Sequence, residues 1–288
     1  MQVDVPCGQC TGCRLEYSRQ WAIRCVHEAQ MFEKNSFLTL TYSDKYLPKD
    51  GSIHKEELQR FFKRCRKKYG NNSMRYFACG EYGDRSGRPH YHAICFGRDW
   101  SEDRHVYRQG KNGFYYYNSK ELDELWGKGF AVIGDVSFDT CAYVARYVMK
   151  KIKGKERGEK RELIDSSTGE VIQVNHEFCM MTRGNGLKPE HPDYNPLFAK
   201  GIGHSWLEKF KTDTNKDFLT VERHKMPIPK YYDGKLELED PEEFIKRKAK
   251  RIKAAKERKE DNTSERLVVK EKVKNAQLKT LDRKSTRL

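Results

Sequence analysis

The chain has 288 residues, enough for one large domain or two small ones. Its 57 Lys and Arg against 42 Asp and Glu give a formal net charge of +15, and with 12% aromatics this is the balance of a protein that meets polyanions, so nucleic acid is the leading partner and a membrane surface is not. No apolar run approaches the roughly 18 residues that span a bilayer, MQVDVPCGQC lacks the basic start and apolar core of a signal peptide, and nine cysteines in such a chain read as thiols or metal ligands, so a cytosolic protein without a disulfide framework is expected.

The first motif is C-x2-C-x2-C at Cys7, Cys10 and Cys13, spacing that lets successive thiolates surround one metal. Residues 14–33 follow, with Leu15, Trp21, Ile23, Cys25, Val26, Ala29 and Phe32 among charges, the pattern of an amphipathic helix. If that helix begins near Arg14, Cys25 lies roughly 18 Å along its axis from Cys13, too far to complete a zinc site with bonds of about 2.3 Å. A fourth ligand comes from elsewhere in the fold, or the site is three-coordinate or absent; zinc and an iron–sulfur cluster both stay open.

SFLTLTY (36–42) is rich in β-branched and aromatic residues and reads as a strand with Phe37, Thr39 and Thr41 on one face. A turn through Asp50 and Gly51 leads to a helix near 54–69 bearing Leu58, Phe61, Phe62 and Cys65. MRYFACGEY (74–82) and HYHAICF (90–96) are two strands joined by GDRSGRP as an antiparallel hairpin. Beyond a polar, aromatic insertion at about 101–118 come a short helix near 119–126, the strand FAVIGDVS, and the helix FDTCAYVARYVMKKIK with Ser137 or Asp139 placed to cap it. A further hairpin is expected around STGE. From about Met226 the texture turns to prolines and then to nearly continuous charge, so a domain over 1–225 and a basic tail over 226–288 are expected, the tail being a solvated helix or a binder of single-strand backbone. Strands and helices mix without strict βαβ alternation, which points to an α+β fold on a mainly antiparallel sheet.

In GRPHYHAICFG (87–97), period-two alternation puts His90 and His92 on one face with Ile94 and Phe96. The plain reading is a hydrogen-bonded pair on a half-buried sheet face. If Glu81 stands opposite either histidine it shares their face, and two imidazoles with a carboxylate suit Mn²⁺, Mg²⁺ or Zn²⁺ with positions left for water or a phosphate oxygen. Asp84 in the hairpin loop rivals Glu81 as third ligand. A histidine-triad hydrolase would need a third alternate histidine where Ile94 stands, paired His-x-Thr/Ser motifs are missing, and there is no GxxxxGK[ST] phosphate loop for a built-in ATP-driven helicase. On the helix, Tyr143 and Tyr147 are four apart and share a face, with Lys150 and Lys151 beyond, while Ala142, Ala145, Val148, Met149 and Ile152 form an apolar stripe on the opposite side.

Taken jointly, FLTLTY (37–42), RPHYHAICFG (88–97) and YVARYVMKK (143–151) resemble the three motifs of the HUH endonuclease superfamily. PCGQCTGCR, SRQWAIRCVHEA and the paired tyrosines narrow the resemblance to the rolling-circle replication initiators of microviruses, the gokushovirus branch in particular, over about residues 5–210. The resemblance implies a five-stranded antiparallel sheet flanked by helices, and metal-dependent nicking and joining of single-stranded DNA at a phage origin through a 5′-phosphotyrosine. It implies a divalent metal, Mg²⁺ or Mn²⁺, on Glu81, His90 and His92, and Tyr143 and Tyr147 as nucleophiles. Lys151, with Lys150 in reserve, is the cation or phosphate clamp, and Thr39, Thr41 and Arg88 are the expected DNA contacts. The partners implied are origin DNA and the host helicase and polymerase, in the host bacterial cytoplasm. Two other classes compete: a non-enzymatic nucleic-acid-binding protein whose tyrosines stack on bases, and a related relaxase or transposase.

Overall fold

The computed structural model describes residues 6–83, 86–110, 113–146, 161–164 and 169–285. In chain order the elements are α1 (Thr11–Ala29), β1 (Asn35–Thr41), α2 (Lys55–Tyr69), β2 (Arg75–Tyr82), β3 (Pro89–Phe96), β4 (His105–Gln109), β5 (Tyr115–Asn118), α3 (Lys120–Trp126), β6 (Ala131–Gly134) and α4 (Phe138–Arg146). They continue with β7 (Arg161–Ile164), β8 (Val171–Val174), β9 (Phe178–Met181), α5 (Pro196–Ala199), α6 (His204–Lys209), β10 (Phe218–Val221), β11 (His224–Pro227), α7 (Lys230–Glu239), α8 (Pro241–Glu257) and α9 (Ser264–Ser285).

The expected α+β fold on an antiparallel sheet is present, in the order β4-β5-β6-β1-β3-β2-β9. It holds seven strands rather than five because the 101–118 segment folds into the β4–β5 hairpin at one edge and β9 pairs outside β2 at the other. The expected hairpin around STGE is β7–β8, a separate two-stranded sheet.

Each central strand feeds two cores, as period two requires. One face sends Leu38, Leu40, Tyr76, Ala78, Tyr91, Ala93 and Cys95 against α2 and α3. Helix α2 meets it with Leu58, Phe61, Phe62 and Cys65, an i, i+3, i+4, i+7 stripe in which each fully buried side chain contributes about 1.5–3 kcal/mol. That helix stops at Gly70, whose φ of 99° is costly for a residue with a Cβ and whose N–H closes on the Arg66 carbonyl at 2.8 Å. The opposite face sends Phe77, Cys79, Ile94 and Phe96 against Ala22 and Cys25 of α1 and Cys141, Val144 and Ala145 of α4. Ser137 caps α4, accepting the Thr140 N–H at 3.2 Å.

The sheet lies in one compact unit, Trp21–Trp206; a second consists of the chain up to Gln20 and from Leu207 onward. In that second unit the charged C-terminal segment is helical, and its basic residues are anchored internally. The Arg251 guanidinium is paired with Asp217 and Asp233, and Arg247, 5% exposed, donates to Glu243 at 2.8 Å and to the Thr214 carbonyl at 2.7 Å. Among the described residues no helix is long and apolar enough to cross a membrane.

Candidate active site

Three adjacent strands assemble the site through their register. Thr39 of β1 lies opposite His92 of β3, which lies opposite Cys79 of β2; one row on, Thr41, His90 and Glu81 align in the same way. Residues directly opposite on antiparallel strands project to the same face, so both imidazoles and the carboxylate emerge together on the side covered by α1 and α4.

The Glu81 Oε1 atom is the focus. His90 Nε2 stands 2.7 Å from it, His92 Nε2 2.9 Å, and the Tyr143 hydroxyl donates to it at 2.9 Å while lying 3.5 Å from His92 Nε2. On its far side the His90 ring meets the Arg88 carbonyl through Nδ1 at 3.1 Å, and His92 Nδ1 meets the Thr39 hydroxyl at 3.0 Å. A carbonyl only accepts, so the His90 proton is held on Nδ1 and the Nε2 lone pair faces inward; the Thr39 hydroxyl supports the same tautomer at His92. Phe37 stacks on the His92 ring at 5.3 Å and 9°, and Tyr143 meets the same ring edge-on at 5.0 Å, so the imidazole is fixed on three sides.

Glu81 is 2% exposed and His92 6%. Burial alone would raise the Glu81 carboxyl, but the His92 charge and hydrogen bonds from His90 and His92 overcome it and hold the group at about 2. Burial pulls the His92 imidazole below its ordinary value. The Tyr143 phenol is pushed up, first by burial and then by the Glu81 charge beside it. Lone pairs from two neutral imidazoles and an ionised carboxylate therefore converge on one point, with ligand atoms within 4.8 Å of one another, and Glu81 Oε2 is buried with no hydrogen-bond partner among the described residues. Such a concentration of acceptors is stable only with positive charge at its centre, and its N₂O donor set fits a divalent metal with coordination positions left open.

The family model for the replication-associated protein ORF2 matches residues 35–152, which run from β1 through α4 and contain every residue of this cluster. Replication-associated protein VP4 of Bdellovibrio phage phiMH2K is 30% identical over 256 residues, covering 85% of this chain and 71% of that protein. Replication-associated protein ORF2 of Spiroplasma virus 4 is 32% identical over 263 residues, covering 88% and 74%. The chain belongs to this family of microvirus replication-associated proteins. The replication-associated protein ORF4 of Chlamydia phage 1 is 36% identical over 154 residues, 51% of this chain and 38% of that protein. No solved structure matches the chain.

In this replication-associated protein the other residues singled out from sequence fall in different places. Thr39 joins the cluster through His92. The Thr41 hydroxyl instead donates to the Phe130 carbonyl at 2.9 Å, because β6 begins beside it. The Arg88 side chain is held away from the cluster by Asp44 at 2.7 Å and the Tyr42 carbonyl at 3.0 Å, and only its backbone carbonyl serves the site. Tyr147, Lys150, Lys151 and Asp84 lie outside the described residues. The apolar stripe read on the α4 helix needs correction: its buried residues are Cys141, Val144 and Ala145, and the Tyr143 ring packs against the same core while its hydroxyl reaches the cluster. Sequence reasoning also passed over Phe37 as the ring that stacks on His92, and over Arg146, whose guanidinium sits 5.4 Å from the Tyr143 ring centroid. The i, i+3 spacing of Tyr143 and Arg146 carried that signal.

The cysteines form a second donor cluster. Cys7 Sγ lies 3.9 Å from Cys13 Sγ, close to the about 3.8 Å that separates two sulfurs each about 2.3 Å from a tetrahedral zinc. Backbone N–H groups of Cys10, at 3.3 Å, and Gln9, at 3.4 Å, point at Cys7 Sγ and draw its thiol down to about 7, which favours the thiolate a metal needs. All three sulfurs lie within 4.8 Å of one another, and no fourth ligand joins them among the described residues.

Proposed function

We propose that the protein initiates rolling-circle replication as an HUH endonuclease, nicking and rejoining single-stranded DNA at a phage origin. The observation that carries this is the Tyr143 hydroxyl, 2.9 Å from the carboxylate around which two histidines gather. Glu81, His90 and His92 would hold a divalent ion, Mg²⁺ or Mn²⁺, which supplies Lewis-acid polarisation of a phosphate oxygen. Tyr143 Oη attacks the phosphorus, the P–O3′ bond breaks, and the proton lost by the phenol is balanced by one taken up at the departing 3′ oxygen. The products are a 5′-phosphotyrosine and a free 3′-OH that primes synthesis. Burial and Glu81 keep the phenol protonated at rest, so activation depends on positive charge nearby, to which Arg146 contributes through the ring and Lys151 or Lys150 would add. Tyr147 would perform the second transfer that releases and closes a daughter circle. Thr39, Thr41 and Arg88 remain proposed DNA contacts. Host helicase and polymerase would extend the primer in the bacterial cytoplasm.

The test incubates the purified chain with Mn²⁺ and a labelled pool of single-stranded oligonucleotides. Adduct formation that maps to Tyr143 or Tyr147 by peptide mass, and that stops with chelator or with His90→Ala or His92→Ala, is the expected result. Adducts mapping elsewhere, or full activity in either histidine variant with chelator present, would refute it. The replication role of the relatives named above supports the same reading.

At Cys7, Cys10 and Cys13 the proposed occupant is a structural zinc, supported by the sulfur spacing. Metal analysis of the purified chain should find one zinc that Cys7→Ser releases, while adduct formation at saturating Mn²⁺ survives.

A further inference from the structure

The sheet face that carries the histidines continues past the helices that cover it. Thr41 and Phe130 exchange both backbone hydrogen bonds, at 3.0 and 3.2 Å, so Phe130 is the direct neighbour of Thr41 and projects to the face of His90. Two strand spacings, about 10 Å, therefore separate the His90 and Phe130 backbones. The Tyr107 ring, on the bulged residue of β4, lies 5.3 Å from Phe130, and the Arg108 guanidinium lies 5.0 Å from the Tyr116 ring. Gly134 leaves room between Phe37 and Tyr116, to which its absent Cβ would come within 3.6 and 3.7 Å, so the surface runs without a break to the ring that stacks on His92. Tyr107 is 51% exposed and Phe130 40%.

Composition says what this surface meets. Residues 104–120, RHVYRQGKNGFYYYNSK, hold four Lys and Arg, a histidine and five aromatic rings with no acid among them. The nearest carboxylates are engaged: Asp123 accepts the Ala131 N–H at 2.8 Å, and Glu124 faces Lys120. Exposed rings interleaved with cations suit bases that stack and phosphates that pair. We infer that β4, β5 and the start of β6 form a stacking platform for the unpaired strand beside the scissile phosphate, with Tyr107 and Phe130 as base contacts and Arg108 as a phosphate contact. The inference rests on the proposed nicking function for its purpose, and its test does not.

Binding of fluorescent oligothymidylate, about 20 nucleotides long to exceed one single-strand site, is measured with the full chain in chelator, where no nicking occurs. Tyr107→Ala and Phe130→Ala should each weaken binding about fivefold or more, as loss of one stacked base does. Arg108→Ala should lower the slope of log affinity against log salt by about 1. All three side chains are solvent-facing, so melting temperatures should match wild type. An iodouracil-bearing strand should photo-crosslink to the β4–β5 hairpin. Wild-type affinity in all three variants, or crosslinks confined to other segments, overturns the platform while leaving adduct formation at Tyr143 untouched; weakened binding sustains it even where no adduct forms.

Discussion

Thr39→Val tests whether the cluster is built to hold a metal. Valine keeps the β-branched shape that suits β1 and removes only the hydroxyl 3.0 Å from His92 Nδ1. Without that partner the imidazole is free to place its proton on Nε2, where it blocks the inward lone pair. Loss of the outer hydrogen-bond partner of a ligating histidine typically lowers metal affinity 10–100-fold, about 1.4–2.7 kcal/mol. An independent route gives the same size: a ring N–H left unpaired at a residue 6% exposed costs about 1–3 kcal/mol. Mn²⁺ titration calorimetry at neutral pH reads the affinity directly, and unfolding in denaturant checks it. With Mn²⁺ at about 100 times the wild-type Kd, wild type gains about 2.7 kcal/mol of stability, whereas a variant about 30-fold weaker gains only about 0.9 kcal/mol. Equal Mn²⁺ affinity in the two proteins would refute the argument that Thr39 orients a ligand.

Tyr143→Phe should abolish adducts at residue 143 and leave those at Tyr147, and the double variant with Tyr147→Phe should form none by intact mass. His27, 3% exposed and stacked on Trp206 at 3.4 Å, is drawn by burial from 6.5 to about 3, so the unfolded chain binds the extra proton first: stability is full above pH 6.5 and falls by up to about 4–5 kcal/mol as pH drops toward 3, which urea titrations at stepped pH should follow and a His27→Phe variant should lack. Truncation after about residue 240 should weaken single-strand binding most at low salt and change the nicking rate of saturated enzyme little, and an unchanged salt slope would mean the tail makes no phosphate contacts. Gly80→Ala places a Cβ 2.8 Å from the Phe178 ring and 3.1 Å from Tyr91, so it should cost about 1–3 kcal/mol in denaturant unfolding and weaken Mn²⁺ binding as well.

The convergence of Glu81, His90 and His92 was legible because it depends on two rules that sequence carries directly: period-two alternation along β3, and the pairing that a short hairpin loop imposes on β2. Thr39 was legible as a neighbour for the same reason, through β1. What escaped was set by tertiary context. The β4–β5 hairpin hides in a run where both faces are polar or aromatic and exposed, so no alternation marks it, and its turn at 110–113, GKNG, was the one local cue. Tyr143 looked like a solvent-side residue on a helical wheel, yet α4 crosses the sheet at the site, so a ring off the main stripe still packs against Phe37 and His92. Thr41 and Arg88 have the right residue types on the right strands but spend their side chains on Phe130, Asp44 and Tyr42, choices made by segments distant in sequence.

The register that builds the site is also the one that closes the core behind it. Gly80 sits opposite both Tyr91 and Phe178, and those rings fill the space a side chain would take. Sliding β2 by one residue would bring Cys79 or Glu81 into that slot and turn Glu81 toward Tyr42, Tyr91 and Trp126, a layer of aromatic rings 5.4–5.8 Å apart whose one polar exchange is the 2.7 Å hydrogen bond between the Tyr42 and Tyr91 hydroxyls. An ionised carboxylate there would lose every partner it has now, at a cost of several kcal/mol, and the Glu81 face would lose the charge that holds its histidines. Glycine at 80 and glutamate at 81 therefore select one alignment between them: the first admits only that pairing into the aromatic layer, and the second is satisfied only beside His90 and His92. Folding stability and the geometry of the cluster are enforced by the same strand register, so a chemically demanding site needs no separate device to position its acid.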